Sequence, residues 1–149
     1  MAHEAKRVAE YVLWLGREAS VTPMRLLKLV YISHGWMLAL RDQPLFRESA
    51  EAWRYGPVVS SVYHAYKQFG GNTITEVPAQ EPAGFSDDEK NIMSQVWTAY
   101  LPYNGVQLSA LTHQPNSPWE ITVRESGMGA RISNDLIKEY YRNLSTARA

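Results

Sequence analysis

Apolar residues recur along this chain mostly at helical spacing. Ala5, Val8, Ala9, Val12 and Leu15 share one face of the segment 4–18, which predicts an amphipathic helix. After the break Glu-Ala-Ser-Val-Thr-Pro, Thr22 reads as an N-cap and Pro23 as the first helical residue, where a missing N–H costs nothing. The helix that starts there and runs to about Leu40 is the most apolar stretch of the chain. Leu26, Leu27, Val30, Tyr31, His34, Met37 and Leu38 make one stripe, and Leu29, Ile32, Trp36 and Leu40 fill much of another. A helix apolar nearly all round has to be enclosed by other elements, so this one is expected at the centre.

Arg-Asp-Gln-Pro-Leu-Phe ends the central helix. Pro44-Leu45-Phe46 and Ala52-Trp53-Arg54 are read as partners in a small ribbon, which needs helices beneath it to be stable. Pro57 is read as the first residue of the next helix, with Val59, Val62, Tyr63, Tyr66 and Phe69 inward and Gly70-Gly71 closing it. Residues 72–85, with Pro78, Pro82 and Gly84, form the longest irregular stretch and read as a mobile loop. Ser86-Asp87-Asp88-Glu89 is a capping box opening a helix that buries Ile92, Val96, Trp97 and Tyr100. A short helix over 106–112, a turn opened by Ser117 and Pro118, and a last helix capped by Ser133 complete the reading. In that last helix Leu136, Ile137, Tyr140, Tyr141 and Leu144 point inward. The fold class is mainly α: a single compact helical domain, 1–149, around a central apolar helix. A two-stranded β-ribbon is expected at most, with 1–3 and 145–149 frayed.

Composition narrows the function classes. A hydrophobic content of 45% supports one core in a chain of this length. Fifteen Lys+Arg balance fifteen Asp+Glu, which removes the field expected of a non-specific nucleic-acid binder. The lack of cysteine excludes disulfides, thiolate catalysis and cysteine-ligated zinc, and fits a reducing compartment. The N-terminal charges are spread at helical spacing with no signal-peptide core, and no apolar run approaches the roughly 18 residues of a membrane span. A soluble, cytoplasmic protein without a membrane partner is expected.

Candidate chemistry is sparse. No two of His3, His34, His64 and His113 stand at metal-ligand spacing on one helix face, so no metal site is expected. His34, in the middle of the apolar stripe, reads as a buried, hydrogen-bonded core residue. His64 faces away from its helix's apolar side, and His113, at a helix end, is placed to bond free carbonyls. Gly-Met-Gly-Ala-Arg lacks the strand and the Lys-Ser/Thr of a phosphate loop, and no serine sits in a nucleophile elbow. Asp87-Asp88 is accounted for by the first turn of a helix, where negative charge is favoured. No catalytic residue and no cofactor is assigned. An enzyme would need His34 and His113 to converge in a cleft with a carboxylate, and a helix-turn-helix regulator would need a basic recognition helix.

Several motifs appear in a fixed order. Tyr31, His34, Gly35 and Trp36 form Tyr-x-x-His-Gly-Trp, Pro44-Leu45-Phe46 follows, and then Ala52, Trp53, Tyr55, Gly56, Pro57 and Val58 form Ala-Trp-x-Tyr-Gly-Pro-Val. Leu111-Thr112-His113 and Pro118-Trp119 come later, before a closing Ile-Ser-Asn-Asp-Leu-Ile-Lys-Glu-Tyr-Tyr. This series resembles the Panacea antitoxin domain family, also described as SocA-like or GepA-like phage-associated proteins, over about Val8 to Tyr141. The resemblance implies a mostly helical domain acting as antitoxin of a toxin–antitoxin pair, neutralising a cognate toxin by direct protein–protein contact. It also implies that some members deliver a toxin to proteolysis, with a protease or chaperone as a further partner. The alternatives are a stand-alone phage or mobile-element adaptor or regulatory protein, and a His-dependent hydrolase or nuclease. The chain departs from the pattern in leaving no room for a separate DNA-binding domain, so nucleic acid is not expected as a partner by itself.

Trp53, Arg54 and Tyr55 stand directly before the Gly56-Pro57 step. On a period of two, Trp53 and Tyr55 share the face over the central helix and Arg54 takes the other. Trp, Tyr and Arg are the residue types that dominate interface hot spots. A rigid, core-anchored edge whose outer side meets a partner is therefore expected, with Trp53, Arg54, Tyr55, Pro57, His113 and Trp119 as its partner-binding residues. Tyr31, His34 and Trp36 form the structural core motif.

Overall fold

The central helix, α2 (Pro23–Arg41), begins as the sequence predicts: Thr22 Oγ1 accepts the Arg25 amide at 3.3 Å, with Pro23 in the first turn. The computed structural model describes residues 2–148, and every residue from Leu26 to Leu38 is buried, Lys28, Ser33 and His34 included. Around α2 pack α1 (Ala5–Leu15), α3 (Ser60–Tyr66), α4 (Asp87–Tyr100), α5 (Gly105–Thr112) and α7 (Asn134–Arg148). A further helix, α6 (Pro118–Ser126), leans on the sheet described below. No helix is long and apolar enough to cross a membrane among the described residues.

Gly35 explains how close α7 comes. A Cβ on Gly35 would stand 2.3 Å from the Tyr141 ring, so the Gly of His-Gly-Trp is a seat for that ring. Tyr141 also meets Tyr31 and Trp36 edge-on, at centroid distances of 6.4 and 5.2 Å. Tyr31 and Trp36 are buried as the core motif requires.

The mainly helical class holds, and the sheet differs from the expected ribbon. Three antiparallel strands, β1 (Ala50–Trp53), β2 (Gly56–Val58) and β3 (Arg131–Ile132), lie in the order β2-β1-β3. Pro44-Leu45-Phe46 does not pair with 52–54, because both edges of β1 are taken. The Leu45 and Phe46 amides turn instead to His34 Nδ1, at 3.1 and 3.4 Å. Pro57 is not the start of a helix either: it lies in the edge strand β2, where a missing N–H is tolerated, and α3 begins at Ser60.

Both ends of the described chain carry regular contacts or helix. His3, read as frayed, bonds Leu45 and Arg47 through its backbone and reaches Glu89 with its ring at 3.0 Å. Likewise α7 continues to Arg148, while Met1 and Ala149 lie outside the described residues. The Ser86–Glu89 capping box is present in full, and a second one, Asn104 with Gln107, opens α5. The segment 72–85 is irregular, as expected, with Ile74 and Phe85 buried in the core.

Candidate partner-binding hairpin

Trp53 pairs with Gly56 across β1 and β2, so Arg54 and Tyr55 are the two-residue tip of a hairpin. Here the strand reading of 53–55 fails: alternation stops at Trp53, and Tyr55 does not cover the central helix. Tyr55 is 59% exposed. Trp53 lies on the outer, half-buried face of β1, edge-on to Tyr63 at 5.0 Å, with Nε1 donating to Glu51 at 2.8 Å. Gly56 turns the chain back with φ 115°, a conformation that L side chains rarely adopt.

Three side chains from three helices grip the hairpin by its carbonyls. Trp119 Nε1, at the start of α6, donates to Trp53 O at 2.6 Å. Ser109 Oγ of α5 donates to Tyr55 O, and Lys28 Nζ of α2 donates to Pro57 O at 2.9 Å. Lys28 is wholly buried, and burial pushes its ammonium down from 10.5 to about 7. The fit is tight enough that a Cβ on Gly56 would stand 3.0 Å from Lys28 Nζ and 3.3 Å from Thr112 Oγ1. Thr112 is itself fixed by the Leu108 and Ser109 carbonyls. The result is a held loop whose two tip side chains face solvent. The Arg54 guanidinium carbon sits 5.5 Å from the Tyr55 ring centroid, in cation–π range.

The remaining site candidates separate into supports. Pro57 is buried within β2. His113, just past the end of α5, lies 5.2 Å from the Trp119 ring, and its buried Nδ1 has no partner. His113 therefore packs behind the tryptophan that grips the hairpin. His34 sits elsewhere: its ring stacks on Phe46 at 3.8 Å, Nδ1 accepts the two loop amides, and Nε2–H donates to Asn134 Oδ1 at 2.9 Å. Burial holds the His34 imidazole at about 4, so it is neutral and acts as a clip between α2, the 44–46 segment and α7. No bond or ring contact joins His34 to His113 among the described residues. No group of three or more His, Cys, Asp or Glu among them could hold a metal ion.

Sequence reasoning missed Lys28 and Ser109. A lone cation inside a helix that is apolar all round was the available signal for Lys28, because such a charge has to find a buried partner. Ser109 carried no signal of its own.

Two clusters thus absorb the motifs: a histidine clip at the core, and a hairpin held by α2, α5 and α6. Together they define a mainly helical domain that displays an arginine–tyrosine tip. The chain belongs to the SocA-like antitoxin family, the Panacea domain, whose family model matches residues 26–120. It is also similar to Antitoxin SocA of Caulobacter vibrioides (strain NA1000 / CB15N), 26% identical over 137 residues that cover 82% of this chain and 72% of the relative. No solved structure matches it.

Proposed function

We propose that this protein is a non-enzymatic antitoxin that neutralises a cognate toxin protein by direct contact, and that the Arg54–Tyr55 tip is part of the contact. Family membership supports the antitoxin role. The observation that carries the contact surface is the three-point grip on the hairpin, which leaves Arg54 and Tyr55 exposed on a fixed backbone. A preorganised loop loses less entropy on binding, so more of its contact energy appears as affinity. Both side chains are of types enriched in hot spots.

The test is co-expression with the protein encoded beside this one, first for toxicity of that neighbour alone and then for rescue. Arg54→Ala is expected to fold normally, since an exposed side chain usually moves stability within about 0.5 kcal/mol. It is expected to weaken the complex by about 2 kcal/mol or more, roughly thirtyfold. A truncation after Leu144 is expected to keep rescue. Full affinity in Arg54→Ala together with binding lost in the truncation would move the interface to the end of α7.

A further inference from the structure

Of the seven large hydrophobic residues that stand exposed among the described residues, Tyr55 is in the hairpin tip, and Val106 at 76% and Met128 at 58% exposure belong to segments bonded to the hairpin. Val106 lies three residues before Ser109, so the two share a face of α5, and Ser109 is bonded to the Tyr55 carbonyl. On the other flank the Gly129 amide donates to Ala52 O at 2.7 Å, which sets Met128 beside β1. Exposed apolar side chains flanking a held loop are the kind of surface that a protein partner covers.

Charge adds a second feature. The ion pairs among the described residues engage other side chains, and Arg54 has none. Glu51, on the same hairpin, is taken up by the Trp53 indole. Helix α5, which flanks the tip, carries no charged residue. Arg54 therefore presents a cation, oriented by the Tyr55 ring, with apolar surface beside it.

We infer that this surface recognises an acidic, apolar-flanked segment of the toxin: a carboxylate pairs with Arg54 while a neighbouring apolar side chain lies against Tyr55 and Val106. The inference rests on the hairpin being the partner contact. Arg54, with the exposed Arg131 of β3 as the other unpaired cation of the sheet among the described residues, in a chain of net charge +0 is a poor match for a phosphate backbone, whose binding requires several. Exposed Val106 would gain nothing from phosphates but would be covered by a protein partner.

The experiment uses the full chain and, as probe, the toxin encoded beside it. Affinities are compared for wild type, Arg54→Ala, Arg54→Lys, Arg54→Glu, Val106→Glu and a double Arg54→Gly, Tyr55→Gly variant, each checked for an unchanged thermal midpoint. Arg54→Glu is expected to bind at least about tenfold more weakly than Arg54→Ala, with Arg54→Lys between Arg54→Ala and wild type. Val106→Glu is expected to lose about tenfold. Raising salt from about 0.05 to 0.5 M should weaken wild type more than Arg54→Ala. An Asp or Glu to Arg change on the toxin should restore binding to Arg54→Glu. Equal binding by Arg54→Glu and Arg54→Ala, with the double variant defective, would end the acidic-partner idea and leave the hairpin contact standing. Wild-type affinity in the double variant would end both. A salt-sensitive DNA shift lost in Arg54→Ala, with toxin affinity unchanged, would assign the surface to nucleic acid instead.

Discussion

Lys28 holds a carbonyl that the hairpin needs and carries a charge that its surroundings disfavour. Burial lowers its value from 10.5 to about 7, so on raising the pH the folded protein releases this proton before the unfolded chain does. Its contribution to stability is therefore greatest at high pH, falls as pH drops from 10.5 towards 7, and is level below that. Tyr31 and Tyr141 oppose it above about pH 10, because burial raises both phenols and the unfolded chain ionises first. Lys28→Met should accordingly flatten the rise in thermal midpoint between about pH 7 and 9. A variant with the wild-type slope would place the titration elsewhere. His34 shows the same logic lower down. With its imidazole at about 4 against an ordinary 6.5, the clip stabilises fully above 6.5 and fails as pH falls towards 4.

Elements, by contrast, were legible where periodicity or capping chemistry ruled. The apolar stripes of α1 and α2, the Thr22–Pro23 start and the Ser86–Glu89 box all read directly, because each local signal agreed with its tertiary use. The hairpin was not, for a physical reason. Its tip is Arg54-Tyr55, with none of the Asn-Gly or Gly residues that announce a two-residue turn, and the positive φ falls on Gly56, one position later. Pro57 misled as well, since a proline opening a helix and a proline on a sheet edge fix the same φ. The third strand escaped because two residues, Arg131 and Ile132, are too few to show alternation. The candidate site was thus half visible: the sequence singled out Arg54 and Tyr55, but not the Lys28 and Ser109 side chains that hold their loop. Gly56→Ala tests the grip, because the new Cβ meets both a disfavoured φ and the Lys28 ammonium at 3.0 Å. A loss of about 1–3 kcal/mol is expected, read as a lower urea midpoint at constant slope, together with weaker toxin binding. An unchanged midpoint would mean that the hairpin yields locally and is not held.

On the scale of the whole molecule, one contiguous core runs from Ala5 to Tyr141 and joins the helices to the inner face of the sheet. Unfolding should then be a single cooperative transition, with calorimetric and van't Hoff enthalpies equal. Separate transitions for fluorescence, which follows the tryptophans, and far-UV circular dichroism would contradict this. The order in which the chain leaves the ribosome gives the hairpin grip a further meaning. Residues 53–57 emerge early, yet Tyr55 waits for Ser109, Trp53 waits for Trp119, and β1 waits for Arg131 and Ile132. Since chains are synthesised from the N-terminus and long-range pairings form late, a nascent or prematurely ended polypeptide has the tip residues but not the tip. Assembly of the hairpin edge is thereby tied to synthesis through Ile132, so a fragment cut short before that residue would carry the Arg54–Tyr55 sequence without presenting it.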